Sequence, residues 1–83
     1  MKILKFGAVW CPACLIMNKT LKKINSNIEI ISYDYDIDSE KVEEYNIGKV
    51  LPVLVFVDDN NKEINRLIGE QTKEKIEDVI ARM

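Results

Sequence analysis

The sequence predicts an α/β domain in which four strands form one mixed sheet and helices cover both of its faces. Three observations predict it. A strand-like run, a run with helical spacing and a second strand-like run follow one another within about 33 residues, the length of a right-handed parallel crossover unit. Val53–Val57 is an unbroken apolar stretch, the pattern of a strand covered on both sides. A cluster of turn-formers then separates it from another short strand-like run, so the chain folds back as a hairpin.

The elements follow in order. Lys2 to Gly7 is a short apolar run that glycine ends, and it reads as the first strand. Trp10 to Cys14 is a loop entering a helix, and Pro12 suits the first helical turn, where a missing N–H breaks no internal bond. Cys14, Met17, Leu21 and Ile24 recur at helical spacing, which carries the helix to about Asn25, and Asn25-Ser26-Asn27 stops it. Ile28-Glu29-Ile30-Ile31-Ser32-Tyr33 is rich in β-branched and aromatic residues and reads as the second strand. Ser39 caps a short helix with Val42 and Tyr45 on one side. After the strand at Val53–Val57 come the turn Asp58-Asp59-Asn60-Asn61-Lys62 and a returning strand from Glu63 to Ile68, which Gly69 breaks. Thr72 caps the last helix, whose Ile76, Val79, Ile80 and Met83 mark a buried stripe.

Composition bounds the function. No repeat, low-complexity tract or glycine/serine linker interrupts the 83 residues, so 1–83 reads as a single domain. Hydrophobic residues make up 47% and charged residues 31%, an ordinary globular balance. A chain this short buries only about 60–65% of its unfolded surface, so its core must be efficient. Two cysteines this close in sequence close no useful loop. Without histidine they cannot complete a four-ligand zinc shell in one chain, so no metal is expected. A net charge of −2 and a pI near 5.1 argue against nucleic acid, and Lys19, Lys22 and Lys23 read as a solvated helix face. No apolar run approaches the ~20 residues that span a bilayer. Lys5 interrupts the apolar start and no small-residue cleavage site follows, so no signal peptide is expected. The expected location is cytoplasmic, where close cysteine pairs are more often catalytic, redox-sensing or metal-binding than structural.

The chemistry lies in Trp10-Cys11-Pro12-Ala13-Cys14. A helix start leaves unpaired N–H groups and the positive end of the macrodipole, and both stabilise an anion. A thiolate at Cys11 gains from both. Cys14, one turn further along and on the same side, is placed to attack a mixed disulfide formed at Cys11. The competing readings are half of a metal site and a pair of structural buried thiols. Cys14 falls on the apolar stripe of its helix, so packing alone accounts for it, whereas Cys11 does not.

On these residues the chain resembles the thioredoxin-like superfamily. Ala8-Val9-Trp10-Cys11-Pro12-Ala13-Cys14 is similar to the family's active-site segment. Tyr45-Asn46-Ile47-Gly48-Lys49-Val50-Leu51-Pro52-Val53-Leu54-Val55-Phe56 is similar to the loop whose proline is cis and faces that site. Gly69 before a final helix is the third likeness, and the three span nearly the whole chain. The resemblance implies a minimal thioredoxin fold with strand order 2-1-3-4 and three flanking helices. It implies that Leu51–Pro52 is cis, leaving the Leu51 backbone to pair with an extended substrate strand. Trp10, Pro12, Leu51 and Pro52 are then the substrate-binding residues, and Pro52 keeps metal off the thiols.

The departures from the family are as informative. The strand and helix that usually open a thioredoxin are not seen, the dipeptide between the cysteines is Pro-Ala rather than Gly-Pro, and Gly69-Glu70-Gln71-Thr72 is a weak match to the glutathione-holding segment of glutaredoxins. Thioredoxins usually bury an aspartate six residues before the first cysteine, near a lysine on the next strand. Lys5 holds that position here, and the resemblance places Asp34 opposite it. A charge-swapped pair with Asp34 or Asp36 would tune the thiols or relay a proton toward Cys14. In the other reading Lys5 snorkels to solvent.

The implied function is reduction of protein disulfides by a monomer, through a redox-active Cys11–Cys14 disulfide, with no bound cofactor. A thioredoxin reductase or glutathione supplies the electrons. The alternatives are a glutaredoxin-like enzyme acting on glutathione mixed disulfides and a non-catalytic module whose thiols switch its affinity for a partner. A metal shared by Cys11 and Cys14 of two chains is the remaining alternative.

Overall fold

The computed structural model describes residues 1–24 and 27–82. Its elements run β1 (Lys2–Gly7), α1 (Pro12–Lys22), β2 (Glu29–Asp34), α2 (Ser39–Glu44), β3 (Val53–Val57), β4 (Glu63–Ile68) and α3 (Lys73–Ala81). The strands form one sheet in the order β2-β1-β3-β4. β1 pairs parallel to β2 and antiparallel to β3, and β3 pairs antiparallel to β4. This is the four-stranded mixed sheet with three helices that the sequence and the resemblance imply.

The order explains the burial. β1 and β3 are central, so both faces of each are covered, and every residue of β3 is buried. On one face Ile3, Leu54 and Phe56 meet Met17 and Leu21 of α1 and Ile76 and Val79 of α3. On the other, Leu4, Phe6, Val53, Val55 and Val57 meet Tyr45 and Ile47, with Val42 of α2 partly buried beside them. The thiol loop leaves the C-terminal end of β1 and enters α1 directly.

Four boundaries differ from expectation. α1 ends at Lys22 rather than about Asn25: Lys23 N–H donates to Thr20 O at 3.0 Å and Ile24 N–H to Leu21 O at 3.2 Å, the tighter bonding that closes a helix. Ile24 still packs against the core from outside the helix. Asn25 and Ser26 of the expected stop lie outside the described residues, as does Met83 of the α3 stripe. β2 is shifted one residue on, ending at Asp34 opposite Gly7, because its register follows the pairing of Ile30 with Ile3. Ser39 is the first residue of α2 and not its cap. Asp38 holds the cap position, but its carboxylate accepts from Asp34 N–H at 2.7 Å and makes no cap bond. Thr72 does cap α3, its hydroxyl oxygen accepting from Lys75 N–H at 3.1 Å. Among the described residues no helix is long and apolar enough to cross a membrane.

Candidate active site

Cys11 is the N-cap residue of α1, with an extended backbone (φ −99°, ψ 108°) and Pro12 following it inside the first turn. Its sulfur stands where a capping oxygen would, accepting from Cys14 N–H at 3.3 Å. The Cys11 N–H donates to Ala8 O at 3.2 Å, which tucks the loop back onto the end of β1. The sequence places an anion-stabilising helix start at this sulfur, and the structure makes the contact specific.

Both cysteines are free thiols, 6% and 2% exposed for Cys11 and Cys14. They cluster with Ala8, and Ala13, Tyr35 and Leu51 pack around them. Burial, and then the hydrogen bond with Cys11, push the Cys14 thiol up to about 11; the Ala8 backbone and the Lys5 charge pull the other way. At neutral pH Cys14 therefore holds its proton. The two sulfurs have different environments, one among helix-end amides and one underneath.

Residues distant in sequence complete the surroundings. The Leu51–Pro52 bond is cis, Pro52 is buried, and Pro52 O accepts from Gly69 N–H at 2.7 Å. Leu51 reaches the cysteine cluster. Trp10 is 60% exposed and its indole N–H donates to Asp36 Oδ2 at 2.7 Å, while Pro12 is exposed beside it. The sequence reading considered Asp36 as a partner for Lys5, and the structure gives it to Trp10.

Lys5 and Asp34 line the same cavity of about 270 Å³ beside Cys14, with Gly7, Asn18 and Asp38. Asp34 does not stand opposite Lys5. The parallel register sets Lys5 against Ser32 and Asp34 against Gly7. One Asp34 oxygen accepts from the N–H groups of Asp36 at 2.8 Å and Ile37 at 3.1 Å, and no ion pair among the described residues joins it to Lys5.

Five residues of the site escaped the sequence reading: Gly7, Asn18, Ser32, Tyr35 and Asp38. Gly7 had a signal, a glycine ending a strand at the reactive loop. A Cβ added there would lie 3.2 Å from Cys14 Sγ. Among the described residues no group of three His, Cys, Asp or Glu side chains is disposed to hold a metal.

The family model described as Thioredoxin matches residues 1–82. Among curated protein sequences none matches this chain. Solved structures do. A mutant thioredoxin of Halobacterium salinarum superposes with a TM-score of 0.88 at 20% identity, over 96% of this chain and 71% of that one. Thioredoxin 1 of Thermosipho africanus gives 0.86 at 23% identity over 99% and 92%. The thioredoxin of Fasciola hepatica gives 0.84 at 25% identity over 96% and 77%. With its fold, its helix-capping thiol and a family match over almost its whole length, the chain belongs to the thioredoxin family of thiol–disulfide oxidoreductases.

Proposed function

We propose that this protein reduces disulfides of other proteins by dithiol–disulfide exchange at Cys11 and Cys14. The Cys11 thiolate attacks one sulfur of the substrate disulfide; a Cys11–substrate disulfide forms and the other substrate sulfur leaves as a thiolate that takes up a proton. Cys14 then loses its proton and attacks Cys11 Sγ. The Cys11–Cys14 disulfide forms, the second substrate sulfur is released, and two electrons have passed to the substrate. The observation that carries this reading is the Cys11 sulfur in the N-cap position, 3.3 Å from the amide of the very residue that resolves the intermediate.

Trp10, Pro12 and Leu51 form the docking surface for an extended substrate segment, and Pro52, buried beneath it, sets the Leu51 backbone that the segment meets. Exposed Val9 and Trp10 on the thiol loop, and exposed Val50 next to the half-buried Leu51 that packs on the cysteines, support an apolar contact there. No bound cofactor takes part, because the electrons travel through the Cys11–Cys14 couple. A thioredoxin reductase or glutathione returns them, in the cytoplasm, with the protein acting as a monomer.

Insulin reduction with dithiothreitol as donor tests the proposal. Wild type accelerates precipitation of the reduced insulin chain catalytically, Cys11→Ser is inactive, and Cys14→Ser accumulates a mixed disulfide with substrate. Stoichiometric oxidation without turnover would replace the enzyme reading by a redox-switched binding module. Activity confined to glutathione mixed disulfides would replace it by a glutaredoxin-like one.

A further inference from the structure

A lysine with a buried stem must keep its ammonium where charge, hydrogen bonds or water answer it. Lys5 is 7% exposed and is the one charged side chain in the buried class among the described residues. No ion pair or side-chain hydrogen bond among the described residues engages it, and no buried side-chain nitrogen among them lacks a partner, so its stem is buried while its ammonium keeps access to solvent through the clefts it lines. One, about 270 Å³, is shared with Cys14. The other, about 510 Å³, is shared with Asn18, Lys22 and Ser32. Both are roomy enough for water.

Its position is specific. A Cβ built on Gly7 would lie 3.5 Å from Lys5 Cε and 3.2 Å from Cys14 Sγ, so the lysine stem and the cysteine sulfur share the space that glycine leaves open. The charged groups facing that space are few. Lys5 comes from β1, Asp34 from β2 and Asp38 from the turn after it; Tyr33 and the Cys11 thiol complete the titratable set, and Lys22, at the far end of α1, lines only the second cavity. One oxygen of Asp34 and one of Asp38 are held by backbone amides.

We infer that Lys5 is a positioning residue for the resolving step, its ammonium stabilising the Cys14 thiolate when that sulfur must attack. The inference rests on the exchange reaction proposed above. Once Cys11 is tied up in a mixed disulfide, its thiol no longer hydrogen-bonds Cys14. The proton of Cys14 leaves to water in the cavity, the thiolate forms beside Lys5, and its electron pair makes the Cys11–Cys14 bond as the substrate thiolate departs. Lys5 contributes charge and no proton. A carboxylate in its place would accept the proton; an ammonium acts by holding the anion.

The experiment uses Cys11→Ser chains, in which Cys14 is the remaining thiol, and follows iodoacetamide alkylation against pH. An opposite charge in near contact moves a pKa by about 1–3 units when buried and less where water reaches it. Lys5→Met is therefore expected to shift the Cys14 profile upward by about half to one pH unit, with alkylation at pH 7 about three- to tenfold slower. Lys5→Arg restores the profile, and Lys5→Gln serves if Lys5→Met does not fold. In chains with both cysteines, reaction with 5,5′-dithiobis(2-nitrobenzoic acid) releases one thiolate on attack by Cys11 and a second on resolution. Lys5→Met slows the second release and leaves the first. An unchanged Cys14 profile in a folded variant, failure of Lys5→Arg to restore it, or equal slowing of both releases overturns the inference. Insulin turnover by wild type separates the two claims: if it is absent the exchange reading falls, and if it is present with an unchanged profile only the role of Lys5 falls.

Discussion

At the scale of single residues the site gives two chemically identical thiols unequal surroundings. Cys11 Sγ receives an amide hydrogen at the mouth of a helix, whereas Cys14 is buried one turn below and pushed up to about 11. The shift has a consequence for stability. Between the ordinary thiol value of 9.0 and about 11, the unfolded chain sheds the Cys14 proton while the folded chain keeps it. The unfolded state then binds fewer protons, so the reduced protein loses stability as pH rises through that window. Below pH 9 this contribution is fully present. Denaturant midpoints of reduced wild type should fall between pH 9 and 11 more steeply than those of Cys14→Ala. Gly7 is the second residue whose identity matters here, through close approach. Gly7→Ala sets a methyl group 3.2 Å from Cys14 Sγ and should cost about 1–3 kcal/mol by overpacking, while shifting the alkylation profile of Cys14.

Elements hold these residues in place, and their ends matter most. α1 begins directly after Cys11 because Pro12 fits a first turn and Cys11 stands in its cap. Thr72 does the same work for α3 with an ordinary hydroxyl. Thr72→Ala should lower stability by about 1 kcal/mol in a urea titration and leave thiol reactivity unchanged. Ile76 of α3 is wholly buried against the sheet face that also receives Met17 and Leu21 of α1. Ile76→Ala should cost about 2–5 kcal/mol, read as a lower denaturation midpoint at unchanged m-value. Element identities were largely legible from local pattern, and β1, β3 and β4 begin and end where apolar runs and turn residues place them. The misplaced edges have tertiary causes. β2 is shifted by its pairing with β1, and Ser39 loses the cap to Asp38, whose carboxylate is itself drawn back to Asp34 N–H.

Across the whole molecule, two thin cores clamp a sheet whose central strands carry most of the burial. A domain of this size has only about 5–12 kcal/mol of net stability, so one cavity such as Ile76→Ala takes a large share of it. The same sheet order brings the C-terminal end of β1, the loop before β3 and the end of β2 to one place. That is why Leu51 packs against the cysteine cluster and Asp36 meets Trp10 although they are far apart along the chain.

Local chemistry was enough to determine the succession of elements, the placing of Cys11 and Cys14 one helical turn apart and the apolar stripes that build the core. Those follow from propensity, periodicity and backbone sterics, which act over a few residues and need no partner. Tertiary structure alone decided that Lys5 faces Ser32 and shares its space with Cys14, that Asp36 serves Trp10, and that Leu51 closes over the thiols. Each depends on strand register or on a loop meeting a distant segment, and both are set by which apolar groups can be buried together, a condition that no short stretch of sequence contains.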